Sequence, residues 1–318
     1  MPKLHKLNNI KSMTGGMNQN RGVLVVAGPT ASGKTAFAHK FARQFGGEIV
    51  NADSRQVYKF LDIGTAKPTQ TQQKEVRYHL LDLVAPNEAF TLGQFLDYAA
   101  KSIAEIQTKG AIPIVVGGTG QYIHALVNGW NPPQVVPDIA LRAQLASLTV
   151  GELQARLKSV DPVSAQNIHP HNIRRVIRAL EVSYTLQQPF SSFQIPLKAA
   201  NRFLTICLQI EQMELDQRIR DRIDVMLAQG WVSEIHQLLK FGYTASEPGF
   251  SSLGYRPLIE VIKERMPIER AIETIQLQTK QLARRQKQWF KPHRFQIPST
   301  GVDDIDMESL YNELVGCE

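Results

Sequence analysis

Gly28-Pro29-Thr30-Ala31-Ser32-Gly33-Lys34-Thr35 fits the spacing G-x-x-x-x-G-K-[ST] of a phosphate-binding loop. Its glycines let the backbone curl so that N–H groups point inward, and a helix starting behind the loop adds partial positive charge. In such a loop Lys34 reaches an outer phosphate and the Thr35 hydroxyl ligates Mg²⁺. All eight residues are therefore candidate phosphate contacts. Taken alone, the loop argues for a user of ATP or GTP.

Asp53 is the second candidate. It directly follows the apolar run Glu48-Ile49-Val50-Asn51-Ala52. A carboxylate there could hold Mg²⁺, pair with Lys34, act as a general base or cap the turn behind it. Arg218 and Arg222 lie four residues apart and share one helix face. Two neighbouring guanidiniums suit a diphosphate, although Asp221 and Asp224 are near enough to pair with them locally. Arg174, Arg175 and Arg178 follow His169-Pro170-His171-Asn172 as a basic patch suited to an RNA backbone. The two histidines lack further ligands at metal spacing.

The run Ile112-Pro113-Ile114-Val115-Val116 ends in Gly-Gly-Thr-Gly, not in the acid that commonly holds Mg²⁺ for nucleotide hydrolysis. Asp82 is a possible substitute. The pattern suits holding phosphates more clearly than hydrolysing them.

These residues need elements to hold them. Val23–Ala27 is a short apolar run typical of a buried parallel strand, and Thr35–Ala42 reads as a helix. Strands are expected at 48–52, 80–84 and 112–116, with a helix near 92–109. Alternation of this kind argues an α/β fold: a P-loop NTPase-like parallel sheet core flanked by helices. Ligands bind at the carboxyl ends of such strands, which puts Asp53 and Thr119 near the loop. Asn131-Pro132-Pro133 marks a linker, and residues 131–200 read as a helical insertion domain between core parts 22–130 and 201–298. Leu215, Ile219, Ile223, Met226 and Leu227 form a helical stripe stopped at Gly230. Residues 268–290 form a long helix with Lys280, Arg284, Lys287 and Lys291 on one face. Residues 1–21 read as a disordered tail and 299–318 as an acidic one.

A chain of 318 residues with net charge +7 suits about two domains. Two cysteines, Cys207 and Cys317, exclude a disulfide framework. No apolar run suggests a membrane span, and the N-terminus lacks the apolar core of a secretory signal. A cytoplasmic monomer is expected. Six basic residues and no acid between Lys280 and Arg294 point to a nucleic-acid partner or to a solvated basic helix face.

Several blocks together resemble the tRNA dimethylallyltransferases. They are Asp53-Ser54-Arg55-Gln56-Val57-Tyr58-Lys59, Leu61-Asp62-Ile63-Gly64-Thr65-Ala66-Lys67-Pro68 and Val115-Val116-Gly117-Gly118-Thr119-Gly120. With them go His169-Pro170, Arg174-Arg175, Arg178–Val182, Leu253-Gly254-Tyr255-Arg256 and Thr279–Gln286. The blocks keep the family's order over residues 22–295. The resemblance implies transfer of a dimethylallyl group from dimethylallyl diphosphate to N6 of adenine 37, next to the anticodon, in tRNAs reading codons that begin with U.

It implies Asp53 as general base and Lys34, Arg222 and the loop N–H groups as stabilisers of the departing diphosphate. Mg²⁺ would sit on Thr35, with Arg218 in support. Ser54, Arg55, Gln56, Thr119, Arg142, Arg174, Arg175, Val176, Ile177 and Arg178 fall where the family contacts tRNA. So do Asp53, Ser251, Ser252, Leu253, Gly254, Tyr255 and Arg256. The basic helix with Lys280, Arg284 and Lys287 would join the insertion in gripping the anticodon stem-loop. Phe60 stands where the family often has glycine, and Ser251-Ser252 where Gln-Ala is common. The competing readings are an isopentenyltransferase acting on free adenine nucleotides, a small-molecule P-loop kinase and a non-catalytic RNA-binding protein.

Overall fold

The structure, a computed structural model, describes residues 22–130, 132–194, 201–290, 297–299 and 305–316. The expected tail over 1–21 lies outside them. The chain divides into two compact units, one drawn from 1–90, 97–123 and 201–318, the other from 91–96 and 124–200.

The first unit is built on a parallel sheet. Its strands are β1 (Val23–Ala27), β2 (Gly47–Asn51), β3 (Tyr78–His79), β4 (Ile112–Gly117), β5 (Phe203–Leu208) and β6 (Ile297–Ser299). Their spatial order is β3-β2-β4-β1-β5-β6. Val25 on β1 stands opposite Val115 of β4 on one side and Thr205 of β5 on the other. Both β1 and β4 are buried along their whole length, which is why they read as unbroken apolar runs. From β1 the chain passes β4 to reach β2, and from β4 it passes β1 to reach β5. The strand order therefore reverses between β1 and β4, and a crevice opens at their carboxyl ends.

The helices, in chain order, are α1 (Lys34–Phe45), α2 (Gln70–Glu75), α3 (Leu92–Thr108), α4 (Gly120–Val127), α5 (Ile139–Ala146), α6 (Val150–Val160) and α7 (Pro162–Asn167). They continue with α8 (Ile173–Leu186), α9 (Gln212–Ala228), α10 (Trp231–Lys240), α11 (Tyr255–Ile262), α12 (Ile268–Trp289) and α13 (Met307–Val315). In the first unit, Phe37, Ala38 and Phe41 of α1 pack against Leu24 and Val26 of the sheet. A second core joins Leu215, Ile219, Ile223 and Met226 of α9 to Trp231, Ile235, Tyr255, Leu258 and Ile275. The stripe read from the sequence is thus its buried face, with Leu227 partly buried at its edge.

The second unit packs α5 to α8 around Leu145, Leu153, Leu157, Val176, Leu180 and Val182. Each of these four helices begins on a side-chain cap, from Asp138, Thr149, Asp161 and Asn172 in turn. Thr149 and Glu152 close a reciprocal capping box.

Two expectations are corrected. Residues 80–84 are not a strand. Leu80 and Asp82 have φ of 63° and 55°, left-handed values that break an extended backbone. The strand there is the two-residue β3, and Val84 makes only an isolated bridge to Tyr58. The acidic C-terminal segment is also more than a tail. Asp306 accepts the N–H groups of Glu308 and Ser309 to start α13. Leu310 and Leu314, four residues apart, bury in the sheet core, and Tyr311 stacks on Phe45 at 4.8 Å. The acids occupy the outer face of an amphipathic helix, so counting charge alone missed the buried stripe.

Candidate functional site

The phosphate loop leaves β1 and closes on itself before α1 begins. The N–H of Ser32 donates to the carbonyl of Pro29 at 3.3 Å, and Gly33 enters the helix at φ 88°, a conformation few residues other than glycine adopt. Lys34 Nζ donates to the same Pro29 carbonyl at 2.5 Å. Ser32 Oγ is buried with no hydrogen-bond partner.

Asp53 sits two residues beyond β2, inside a braid of short hydrogen bonds. Its N–H donates to Asn51 Oδ1 at 3.2 Å, and its Oδ1 accepts the N–H of Arg55 at 2.9 Å. The other end of the Asn51 side chain donates to the carbonyls of Asp53 and Leu80. This turn is then laced to the end of β4. The N–H of Ser54 donates to Thr119 Oγ1 at 3.0 Å, and the N–H of Thr119 donates to the Ala52 carbonyl at 3.3 Å. The topological placement of Asp53 and Thr119 beside the crevice is thereby reached through direct bonds.

A cavity of about 480 Å³ opens over these strand ends. Lys34, Thr35, Asp53, Thr119 and Arg222 are among its polar lining residues. Ile219, Ile223, Met226, Ile275, Leu282 and Trp289 are among its apolar ones. Burial pushes the Lys34 ammonium down to about 8, against the opposing pull of Asp53, while Arg222 pushes it further down. The Arg222 guanidinium is likewise lowered by burial and partly restored by Asp53. Two crowded cations therefore share one carboxylate and retain a net positive charge. Such a site gains from an incoming polyanion. Cys207, on β5, is pushed up to about 12 by burial, so it is an unreactive thiol here.

Two residues that sequence reasoning did not single out shape this unit. Gln286 of α12 accepts the N–H of Thr30 at 2.8 Å and donates to the Gly118 carbonyl at 2.9 Å. Glu234 of α10 accepts the N–H groups of Asp62 and Ile63 at 2.8 and 2.6 Å and the hydroxyl of Tyr255 at 2.7 Å. Their partners lie so far away in sequence that no local spacing reveals them. Gln286 does fall within the Thr279–Gln286 block.

Other expected site residues separate. Arg222 lines the cavity, whereas Arg218, one turn earlier, is exposed and pairs with Glu214 at 2.6 Å. Arg218, expected beside Arg222 on a diphosphate, is absent from the cavity lining, its guanidinium lying on the acid one turn before it. Asp82 does not line the cavity either, because Lys67 holds it at 2.5 Å. Ser54, Arg55, Gln56, Ser251, Ser252 and Leu253 all reach the cavity. Arg55 Nη1 donates to Ser251 Oγ at 2.6 Å, and Gln56 Nε2 donates to the carbonyls of Thr65 and Ala66. Tyr255 is fully buried and Gly254 is buried beside it, so the ring offers no surface to an RNA; Arg256 is exposed. On α12, Lys280 pairs with Asp216 at 2.9 Å and Lys287 bonds Gln212 at 3.1 Å, while Arg284 is exposed and makes no such contact among the described residues. Lys291 lies outside the described residues.

In the second unit, Arg174 and Arg175 are exposed. Val176 is fully buried in the helical core and Ile177 packs against it, which removes the Val176 side chain as an RNA contact. Arg142 and Arg178 turn to the buried carboxylate of Glu181. Arg142 donates to both its oxygens at 2.8 Å, and Arg178 donates at 2.6 Å. Burial alone would raise the Glu181 carboxyl, but these bonds and the Asp138 N–H carry it below its usual value.

Comparison with known proteins bears on the same residues. A family model for IPP transferase matches residues 56–293. The chain is 42% identical over 287 residues to a tRNA dimethylallyltransferase of Roseiflexus sp. (strain RS-1), covering 88% of this chain and 94% of that one. It is 43% identical over 273 residues to a tRNA dimethylallyltransferase of Chloroflexus aurantiacus, covering 85% and 92%. Its fold matches the full-length tRNA isopentenylpyrophosphate transferase of Bacillus halodurans with a TM-score of 0.68 at 31% identity, over 93% of this chain and 96% of that one. It also matches a eukaryotic dimethylallyltransferase acting on tRNA, with a TM-score of 0.76 at 28% identity, over 90% of this chain and 75% of that one.

Proposed function

The chain belongs to the IPP transferase family, and from that membership we propose that it transfers a dimethylallyl group from dimethylallyl diphosphate to a tRNA. The acceptor is N6 of adenine 37, next to the anticodon, in tRNAs reading codons that begin with U. The products are N6-(dimethylallyl)adenosine and diphosphate. The observation that carries this reading is the cavity that holds the Asp53 carboxylate together with Lys34 and Arg222. A base stands beside a cationic phosphate cradle, and apolar side chains line the same cavity for a five-carbon chain.

The chemistry follows from those charges. An exocyclic adenine amine is a poor nucleophile, and a carboxylate that takes its proton as the N–C bond forms makes it a better one. The amine nitrogen attacks the allylic carbon bonded to oxygen, and that C–O bond breaks. Its electron pair leaves with the diphosphate, and the N6 proton passes to Asp53. Lys34, Arg222 and the loop N–H groups face the oxygens on which negative charge grows. The adenine reaches the cavity only after leaving its stack, a base-flipping step.

Thr35 would hold Mg²⁺ at the start of α1. No cluster of three His, Cys, Asp or Glu suited to a metal occurs among the described residues. The Thr35 hydroxyl would be the protein's ligand to the ion, with diphosphate and water completing its shell. When bound, it would supply positive charge to the leaving group.

For the RNA, Arg174 and Arg175 of the second unit and Arg256 and Arg284 of the first are exposed cations able to meet phosphates. We assign the second unit to tRNA binding and read the enzyme as a cytoplasmic monomer. No helix among the described residues is long and apolar enough to cross a membrane. The test is acceptor competition with labelled dimethylallyl diphosphate. Label entering tRNA and not AMP supports the assignment; label entering AMP equally well transfers it to a free-nucleotide enzyme.

A further inference from the structure

Gln286 is 7% exposed, and both ends of its amide are bonded to backbone groups far away in the chain. Its Oε1 receives the N–H of Thr30, in the middle of the phosphate loop, and its Nε2 gives to the carbonyl of Gly118, just past the end of β4. These partners stand on opposite sides of the crevice between β1 and β4. The side chain comes from a third element, α12, whose Thr279, Leu282, Arg285 and Trp289 line the same cavity. Gly118 leaves room for it: a Cβ there would collide with Gln286 Nε2.

We propose that Gln286 is a positioning residue that holds the phosphate loop at a fixed distance from the β4 end, so that α12 sets the shape of the diphosphate cradle. A glutamine amide suits this role because it accepts at one end and donates at the other. Among the described residues the loop is otherwise closed by bonds within itself, from Ser32 and Lys34 to Pro29. Taking the Thr30 N–H into a fixed bond directs the remaining loop N–H groups at a ligand without reorganisation on binding. The same bond links the helix that carries Arg284 and Arg285 to the loop that grips the donor. The inference rests on the reading of this loop as a diphosphate site.

The experiment titrates inorganic diphosphate into the full chain, in the parent, Gln286→Leu, Gly118→Ala and the double variant, and measures KM for donor and for tRNA in each. Leucine nearly keeps the volume and loses both bonds. Alanine at 118 displaces the amide from the opposite side while leaving Gln286 in place. Each single variant is expected to raise the diphosphate Kd and the donor KM about tenfold, with the tRNA KM within twofold of the parent. Because both act on one clip, the double variant is expected to be no weaker than the worse single one. Parent-like diphosphate binding in both single variants, or multiplied losses in the double, overturns the positioning role. If Gln286→Leu fails to fold, Gly118→Ala decides, with parent-like binding there overturning it. Failure of the parent itself to bind diphosphate would instead remove the reading of the loop.

Discussion

Lys34 Nζ donates a 2.5 Å hydrogen bond to the carbonyl of Pro29, five residues back in its own loop. That bond fixes one of the three ammonium donors on the loop and leaves two for a phosphate oxygen. The ammonium is also strained by burial, which brings it down to about 8.

Filling the site with an anion favours the charged lysine, so binding of diphosphate at pH about 8.5 is expected to take up protons. Calorimetry in buffers of different ionisation enthalpy reads that uptake. In Lys34→Met the lysine's share of that uptake should vanish, leaving only the ligand's own proton exchange, with Kd rising about a hundredfold. Stability carries the opposite sign. The folded-state value lies below the unfolded 10.5, so between about pH 8 and 10.5 the unfolded chain binds more protons and stability from this group rises with pH. Lys34→Met should therefore unfold later than the parent at pH 7, by an amount that shrinks as pH approaches 10. A variant no more stable at pH 7 would contradict the burial cost.

Asp53→Asn keeps an acceptor for the Arg55 N–H, so the turn after β2 should survive. It removes the base. Transfer should slow by about a hundredfold or more while tRNA binding, measured by filter retention, stays within about threefold. Turnover near the parent rate would mean that some other group accepts the N6 proton.

Arg284 is exposed without a partner among the described residues, whereas Lys280 and Lys287 already spend bonds on Asp216 and Gln212. Arg284→Gln should weaken tRNA binding and lower the slope of log K against log salt by roughly 1. Lys287→Gln should change that slope less. Equal slopes for parent and Arg284→Gln would leave this face merely solvated.

Glu181 is buried and gathers Arg142, Arg178 and the Asp138 N–H. Glu181→Gln should destabilise the second unit by about 3 kcal/mol at neutral pH. Its carboxyl lies below the unfolded value near 4.5, so this contribution is full above that value and fades as pH falls through the folded one. Denaturant midpoints should therefore converge at acid pH.

What the sequence disclosed was local. The loop, its strand and its helix occupy adjacent residues, and a single strand end puts Asp53 beside them. The α9 stripe named its own buried face. Bonds between distant segments were not legible: Gln286 meets Thr30 and Gly118 only once α12 has folded over the sheet. The charge pattern of α9 could not say that Glu214 would claim Arg218 and leave Arg222 to the cavity. Within α8, by contrast, the spacing of Val176, Leu180 and Val182 already marked one apolar face, and Val176 turns inward between the arginines. The departure at Phe60 has a conformational reading, since its φ of 66° is a value that glycine adopts more cheaply. Its ring lies 6.3 Å from that of Phe241, a contact glycine would not make.

The central claim is that one cavity unites a diphosphate cradle with a base for an adenine amine. The most direct measurement treats an unmodified tRNA transcript with dimethylallyl diphosphate and the enzyme, then weighs the anticodon-loop fragment. The account predicts one added dimethylallyl group on adenine 37, one diphosphate released per transfer, and no product from a transcript with guanine at that position. An unmodified fragment, with phosphate moving from ATP to an acceptor instead, would contradict it.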